Sequence, residues 1–321
     1  MKGMIVINPS SGQQYYQKRA KMAMDKLLND RITEGLYVMY TTGKDSAYDA
    51  VSQLKPGEYD FVMAVGGDGT VNEVVNGIID SGCEIPLVIY PAGTSNDFAS
   101  SIGLPREINR LVRMIKEFCV KEIDVGKIND KYFLNVAAGG ALSEVAHRVS
   151  VSAKTVLGRL AYIGEGVKEI GTLSFRTVPL RYEMNHMTFD TDTFLFLAAN
   201  SSSVGGFSHI TPHAKLDDGL IDVCILKKIE AVDAVPLFAQ INIGKHTKDN
   251  KCVTYLQTDK IVISSVNKDT EFPVDCDGEC GDPLPVTIEV VPKAVKILVP
   301  KNGKKIESLL SEKMNEAGAN V

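Results

Sequence analysis

The stretch from Phe61 to Glu73 constrains the fold of this chain more strongly than any other part of the sequence. Its first five residues are apolar, as in a buried strand, and three glycines in the next four positions allow the backbone to turn sharply. An amphipathic pattern then begins at Thr70, which stands at capping-box spacing from Glu73, and Gly82 predicts its end. The apolar positions of this pattern share one helix face: Val71, Val74, Val75, Ile78 and Ile79. The stretch therefore predicts a strand, a glycine turn and a helix.

A turn of this kind can bind a phosphate. The first turn of a helix has free N–H groups and the positive end of the helix dipole, and here both would lie at the carboxyl edge of a sheet. Asp68 stands in the turn, and its carboxylate would repel a phosphate unless a divalent cation lay between them. Two interpretations stay open: a site for a nucleotide with Mg²⁺, and an ordinary tight turn between a strand and a helix.

Length, composition and net charge limit the classes of protein to which this chain can belong. The 321 residues, 44% of them hydrophobic, can bury a sizeable core and indicate two domains. A net charge of −5 argues against a nucleic-acid binder that relies on a large basic field. No apolar run is long enough to span a bilayer and no signal peptide precedes the first strand pattern, so we expect a cytoplasmic protein. The six scattered cysteines are predicted to be reduced thiols.

Strand and helix patterns alternate regularly over the first 118 residues or so. The strand patterns cover 4–8, 36–40, 61–65 and 87–90. Such alternation predicts a parallel sheet with helices on both faces, whose ligands bind at the carboxyl ends of the strands. Three of the four strand ends carry turns of glycine and hydroxyl residues, and Thr41-Thr42 follows the other. The P-loop pattern GxxxxGK[ST] is absent and the glycine turn does not fit GxGxxG, which argues against a P-loop enzyme and a plain dehydrogenase.

Short strand patterns dominate the chain from residue 123 onward. They cover 131–137, 175–182, 193–199, 220–226, 260–264 and 286–291. Their spacing predicts an antiparallel sandwich. We therefore predict an α/β domain over residues 1–123, to which a segment from about 295 to 321 returns, and a β-rich domain over 124–294.

One helical stretch, 142–170, interrupts these strands, and the segment 148–181 carries six basic residues against two acidic ones. It is predicted either to pack on its own domain or to rest on an anionic membrane surface. The acidic turn at Asp217-Asp218 suits a hard cation or a solvated loop. Cys276 and Cys280 lack a second pair at zinc-site spacing, which argues against zinc.

Five short motifs follow one another along residues 4 to about 300. They are Asn8-Pro9-Ser10-Ser11-Gly12, Gly66-Gly67-Asp68-Gly69-Thr70 with Asn72-Glu73, Pro91-Ala92-Gly93-Thr94-Ser95-Asn96-Asp97-Phe98, Leu216-Asp217-Asp218-Gly219 and Asp277-Gly278-Glu279. In this order they resemble the diacylglycerol kinase catalytic-domain family, which includes soluble bacterial lipid kinases and sphingosine kinases. The Gly-Gly-Asp-Gly-Thr motif alone is shared with NAD kinases.

The resemblance implies an α/β fold with an N-terminal Rossmann-like, NAD-kinase-like domain and a β-rich antiparallel sandwich as the second domain. It implies an ATP-dependent kinase that uses Mg²⁺ to phosphorylate a lipid hydroxyl, with diacylglycerol as the first candidate acceptor. Glu279 would accept the proton of that hydroxyl, with Asp277 beside it and Asp68 as the third catalytic carboxylate.

The resemblance also implies a binding site for the nucleotide and metals. The implied ATP contacts are Asn8, Pro9, Ser10, Ser11, Gly12, Thr41, Gly66, Gly67, Asp68, Gly69, Thr70, Val71, Asn72, Glu73, Thr94 and Asn96. Asp68, Asp97 and Asp218 would form an acidic network around Mg²⁺, and Asp218 would also bind a structural metal together with the backbone carbonyls of Lys215 and Leu220. One departure stands out. The family has basic residues just after the first loop, whereas here Gln13 follows Gly12, and the nearest cations are Lys18 and Arg19.

Elementary chemistry supports the same reaction, because phosphoryl transfer needs positioning, charge neutralisation and an oriented nucleophile. Two alternatives remain: an NAD kinase, and a nucleotide-sensing regulatory protein that keeps the fold without turnover. A lipid kinase without a membrane anchor would contact anionic membranes peripherally, and we expect Lys154, Arg159 and Lys168 to make that contact. No nucleic-acid partner is expected, and the sequence leaves the oligomeric state open, a homodimer included.

Overall fold

The computed structural model describes residues 1–11, 13–93, 96–140, 177–204, 209–229, 231–247, 250–267 and 272–310. The helices of this part are α1 (Gln13–Asn29), α2 (Ser46–Ser52), α3 (Asp68–Ser81), α4 (Asp97–Ser101), α5 (Ile108–Glu117), α6 (Ala231–Asn242) and α7 (Lys304–Leu309). The strands are β1 (Lys2–Ile7), β2 (Gly35–Tyr40), β3 (Phe61–Gly66), β4 (Leu87–Pro91), β5 (Val120–Ile128), β6 (Lys131–Phe133), β7 (Val136–Gly140), β8 (Val178–Met184), β9 (Met187–Ala199), β10 (Ile221–Lys227), β11 (Val253–Thr258), β12 (Lys260–Ser265), β13 (Val274–Cys276), β14 (Glu279–Cys280) and β15 (Val286–Leu298).

The first four strands form the predicted parallel sheet, in the order β2-β1-β3-β4. The apolar run at the start of β3 is buried completely, with Val62, Met63 and Ala64 at 0% exposure. Burial of this kind requires cover on both faces, which explains why the strand reads as a continuous apolar run rather than an alternating one. Parallel pairing brings the four carboxyl ends to one edge of the sheet.

The later strands pair antiparallel, as the sequence predicts. The long strand β15 joins the two parts, because it pairs antiparallel with β5 and β12 and also parallel with β4 through Ile297 and Leu87. The result is one continuous sheet with an order of β14-β13-β7-β9-β8-β12-β15-β4-β3-β1-β2 along its main path. The predicted mixed α/β class is confirmed.

Apolar side chains of the described residues pack into three core clusters. The cluster around β1 to β4 also takes in Ile297, Leu298, Ile306 and Leu309 from the C-terminal end. These side chains contact the first part of the chain because β15 runs back to pair with β4. The exact division into two domains remains a prediction.

Two elements differ from their predicted form. The strand predicted over 131–137 is two short strands, because the backbone N–H groups of Leu134, Asn135 and Val136 turn toward the carboxylate of Asp277. Helix α3 begins at Asp68 rather than Thr70, with Gly67 as its N-cap, so the predicted capping box is wrong.

The end of α3 is as predicted, since Gly82 adopts a left-handed conformation with φ 66°. The predicted helix over 142–170, the basic segment up to residue 176 and the proposed membrane contacts Lys154, Arg159 and Lys168 lie outside the described residues. The described helices include none that is long and apolar enough to cross a membrane.

Candidate functional site

The loops after the first four strands meet at the carboxyl edge of the parallel sheet. Backbone hydrogen bonds tie each loop to its neighbour: Thr41 N–H donates to Ile7 O at 2.9 Å, Asn8 N–H to Val65 O at 2.9 Å and Ala92 N–H to Gly66 O at 2.9 Å. The predicted phosphate-type turns are therefore adjacent in space.

The glycine turn and the loop after β4 touch through two glycines. A Cβ atom placed on Gly93 would lie 2.4 Å from the Cα atom of Gly67, which leaves no space for a side chain there. Gly93 is held by the buried Asn96, whose Oδ1 accepts the Gly93 N–H at 3.0 Å. Asn96, predicted as an ATP contact, thus uses its amide to shape the loop. Thr94 lies outside the described residues.

The first loop is joined to α3 by one side-chain hydrogen bond. Asn8 Nδ2 donates to Thr70 Oγ1 at 3.0 Å, and Asn8 Oδ1 accepts the Ser10 N–H at 2.9 Å. Thr70 is 6% exposed, so its hydroxyl serves this contact inside the protein. Pro9 and Ser10 are exposed at the same edge. Gly12 lies outside the described residues.

Asp68 occupies the first position of α3 and faces the start of α4. Its carboxylate accepts backbone N–H groups of Asn96, Asp97 and Phe98. Burial raises the pKa of Asp68 above its usual value, while these N–H groups act in the opposite direction. Asp68 is thus a half-buried carboxylate at the start of α3 that faces the start of α4.

Two further residues of α3 that were predicted to contact ATP have contacts within the protein. Val71 is 4% exposed, its side chain packs in the core and its N–H donates to Gly67 O. Glu73 accepts the backbone N–H groups of Asp45 and Ala47 at 3.1 and 3.0 Å, which fixes the loop after β2. These contacts also explain the missing capping box, since Glu73 binds a neighbouring helix instead of its own.

Asn72 and Asp277 connect α3 to the β-rich part of the chain. Asn72 Nδ2 donates to Asp277 Oδ2 at 2.8 Å. The same carboxylate accepts the backbone N–H groups of Leu134, Asn135 and Val136 at 2.7 to 3.0 Å. Burial raises the pKa of Asp277 to about 6, against the effect of its four donors. Both oxygens of Asp277 are therefore engaged in contacts that position the turn that precedes Glu279, and its catalytic role stays a prediction.

Replacing Asp277 by alanine is expected to lower the free energy of unfolding by about 3 kcal/mol or more, because it leaves four buried donors without an acceptor. Urea unfolding followed by circular dichroism measures this. Asp282→Ala is the matched control, since Asp282 is an aspartate of the same region with one exposed hydrogen bond, from Asn129. Equal stability of the two variants would contradict the positioning role of Asp277.

The side chain of Glu279 lies close to the glycine turn. A Cβ atom placed on Gly69 would lie 3.5 Å from Glu279 Oε1, so this carboxylate stands beside the first turn of α3. Its other oxygen, Oε2, lies 3.6 Å from Lys44 Nζ. A cleft of about 470 Å³ opens here, lined among others by Asn72, Lys131 and Glu279. The tertiary structure thus brings together the glycine turn and the predicted base, two features that are far apart in the sequence.

A second acidic cluster surrounds the turn before β10. Asp124, which is 1% exposed, accepts the Gly219 N–H at 2.7 Å and the Lys293 N–H at 2.8 Å. Burial and the neighbouring Asp124 raise the pKa of Asp218, whose Oδ1 accepts the Leu220 N–H at 3.0 Å. Sequence reasoning missed Asp124, because β5, the strand that contains it, was not predicted.

The described part of the chain contains no group of three histidine, cysteine, aspartate or glutamate side chains that could hold a metal ion. The predicted network of Asp68, Asp97 and Asp218 around Mg²⁺ stays a prediction. The backbone carbonyl of Lys215 was predicted to bind a structural metal. The side-chain Nζ of the same residue donates to Ser308 O at 2.7 Å, which anchors this turn to α7.

This chain is similar to known proteins over almost its whole length. Residues 2–128 match the diacylglycerol kinase catalytic domain, and residues 135–299 match the YegS C-terminal NAD kinase beta sandwich-like domain. A diacylglycerol kinase of Staphylococcus epidermidis is 33% identical over 93% of this chain and 92% of its own length, and one of Bacillus subtilis is 32% identical over 92% and 96%. Among solved structures, a diacylglycerol kinase from Bacillus anthracis has a TM-score of 0.73 at 22% identity, covering 94% of this chain and 98% of its own.

Proposed function

This chain belongs to the diacylglycerol kinase catalytic-domain family, and from that premise we propose that it transfers the γ-phosphate of ATP to the hydroxyl of diacylglycerol, with Mg²⁺, to form phosphatidic acid. Family membership supports a phosphotransferase that acts on a lipid. The nucleotide, the metal and the acceptor are the parts proposed here.

One observation carries the proposal: the carboxylate of Glu279 stands beside Gly69 in the first turn of α3. A phosphate chain bound to the free N–H groups of that turn would present its terminal phosphate next to Glu279. A hydroxyl placed between them would have a proton acceptor on one side and an electrophile on the other. Glu279 would therefore take the proton as the oxygen attacks the phosphorus atom.

The residues at the sheet edge fit a magnesium nucleotide. Magnesium is usually held by one or two carboxylates together with substrate phosphates and waters, so a three-carboxylate group is not needed. Asp68 would supply such an oxygen, since its carboxylate lies between the glycine turn and α4. Bound with the nucleotide, Mg²⁺ would neutralise charge on the phosphates as the bond to the leaving group breaks.

The positions of the other residues support the same assignment. Asn8 and Thr70 fix the first loop against α3, and Gly67 and Gly93 keep the two glycine loops in contact without side chains. These contacts hold the loops at the edge of the sheet in fixed relative positions, and donors that are positioned in advance stabilise developing charge. Asn72 and Asp277 hold the turn that carries Glu279 against α3.

The proposal is tested by incubating the purified chain with γ-labelled ATP, Mg²⁺ and mixed micelles of diacylglycerol, with parallel reactions on sphingosine, ceramide and NAD. We expect label in phosphatidic acid and loss of the signal when EDTA removes the metal. Label in another lipid would correct the acceptor, and label in NADP would show an NAD kinase instead. ATP binding without any transfer would indicate a regulatory protein.

A further inference from the structure

Lys44 is a cation that the sequence motifs do not include and that the fold brings to the candidate site. It lies in the loop between β2 and α2, and its Nζ is 3.6 Å from Glu279 Oε2. The other oxygen of the same carboxylate stands beside Gly69, where the first turn of α3 offers free N–H groups. Lys44 is thus next to the position that the terminal phosphate of a bound nucleotide would occupy.

The backbone around Lys44 is held firmly. Ser46 Oγ accepts the Thr42 N–H at 3.1 Å and donates to Gly43 O at 2.7 Å. Glu73 accepts the N–H groups of Asp45 and Ala47. The backbone of Lys44 is therefore fixed relative to α3, the helix that follows the glycine turn.

The side chain of Lys44 is free to change partner. It is 70% exposed and Glu279 is 44% exposed, and ion pairs between exposed side chains contribute little to stability. A terminal phosphate carries more negative charge than one carboxylate, so it would compete well for the ammonium group. Without a neutralising cation, Glu279 would also repel that phosphate.

The sequence places no cation close to the first loop. No charged residue stands between Asn8 and Gln17, and the nearest cations are Lys18 and Arg19. Of the two nearest cations, Arg19 donates its guanidinium to Tyr90 Oη at 3.2 Å and to Arg106 O at 3.0 Å, which assigns it to packing between α1, β4 and the loop before α5.

We propose that Lys44 binds the terminal phosphate of the nucleotide, exchanging its ion pair with Glu279 for one with the phosphate, and that Glu73 positions the loop that carries it. The exchange supplies the charge that the first loop lacks and leaves Glu279 unpaired when the acceptor hydroxyl arrives. This inference rests on the proposed function, because it requires a nucleotide at the glycine turn.

The test compares nucleotide affinity across matched variants by calorimetry with ATP and with adenosine. Lys44→Met removes the charge at similar length, Lys44→Arg keeps it, and Lys55→Met is the control, an exposed lysine beyond α2. We expect Lys44→Met to weaken ATP binding about 10-fold and adenosine binding less than about 2-fold, with Lys44→Arg and Lys55→Met near wild type.

The effect of Lys44→Met on ATP affinity, measured in the Glu279→Gln variant, distinguishes phosphate binding by Lys44 from a role limited to its ion pair with Glu279. If Lys44 binds the phosphate, Lys44→Met weakens ATP binding in both backgrounds. If Lys44 serves Glu279 alone, the loss disappears with Glu279→Gln, and the proposal is overturned. Wild-type ATP affinity in Lys44→Met overturns it as well. A wild-type chain that binds ATP but phosphorylates no lipid contradicts the proposed function and leaves this test intact, whereas a chain without ATP affinity contradicts both.

Glu73→Gln tests the positioning role, because the amide can replace one carboxylate oxygen as an acceptor but not both. We expect a smaller loss of ATP affinity than with Lys44→Met, and no additional loss in the Lys44→Met background. An additive loss would show that Glu73 acts independently of Lys44, which contradicts its positioning role.

Discussion

Replacing Asp68 by asparagine is expected to reduce phosphoryl transfer by about 100- to 1000-fold, the range seen when one preorganised electrostatic group is removed from an active site. The amide is a much weaker ligand for Mg²⁺ than the carboxylate and carries no charge to complement a metal nucleotide. Its oxygen can still accept N–H groups from the start of α4, where the carboxylate of Asp68 is bound. We therefore expect the fold to persist, with a Tm within about 3 °C of wild type.

Initial rates with labelled ATP and a thermal melt of the same preparation measure both quantities. Asp25→Asn is the matched control, since Asp25 is an exposed aspartate on α1, and we expect it to match wild type in rate and Tm. Turnover at the wild-type rate in Asp68→Asn would contradict the proposal that a nucleotide binds with Mg²⁺ at the carboxyl edge of the parallel sheet. A large drop in Tm would instead show that Asp68 serves the contact between α3 and α4.

Replacing Glu279 by glutamine is expected to lower kcat by about 100- to 10,000-fold, because the amide cannot take the proton of the acceptor hydroxyl. The KM for ATP should change by less than about 5-fold, since the N–H groups of the glycine turn are untouched. A selective loss of kcat is the signature of a group that acts in the transition state. Steady-state kinetics with varied ATP at saturating lipid distinguish the two parameters.

Glu183→Gln is the control for this substitution, because Glu183 is an exposed glutamate on β8. An unchanged kcat in Glu279→Gln would rule out Glu279 as the base. A rise in KM for ATP at constant kcat would place Glu279 in nucleotide binding instead. Either result would require another proton acceptor for the lipid hydroxyl.

Local patterns in the sequence were enough to predict the parallel sheet and its phosphate-type turns. The apolar run at 61–65, the glycines that follow it and Gly82 act within a few residues of one another, so their conformations depend little on distant contacts. Period-two patterns likewise predicted many strands of the β-rich part, although β5, β11, β13, β14 and α6 were missed. Tertiary pairing completes such elements where the local signal is weak.

The roles of individual side chains were harder to predict, because a side chain's type defines its chemistry but not its partner. Thr70 and Glu73 have the spacing of a capping box, yet Thr70 binds Asn8 and Glu73 binds the loop that carries Lys44. Asp277 lies beside the predicted base in sequence, but its two oxygens accept four donors, one from α3 and three from residues 134–136 between β6 and the start of β7. Each of these outcomes depends on contacts between residues that are far apart along the chain.

The sequence by itself determined the strand, turn and helix from Phe61 to Gly82, the parallel sheet around them and the set of carboxylates available for chemistry. The tertiary structure alone decided that Glu279 stands beside Gly69 and that Lys44 stands beside Glu279. The physical reason is the range of the interactions. Residues close together in the sequence are enough to predict the type of an element and the face that it will bury, whereas a site between the glycine turn and Glu279 exists only after β15 has joined the two parts of the sheet.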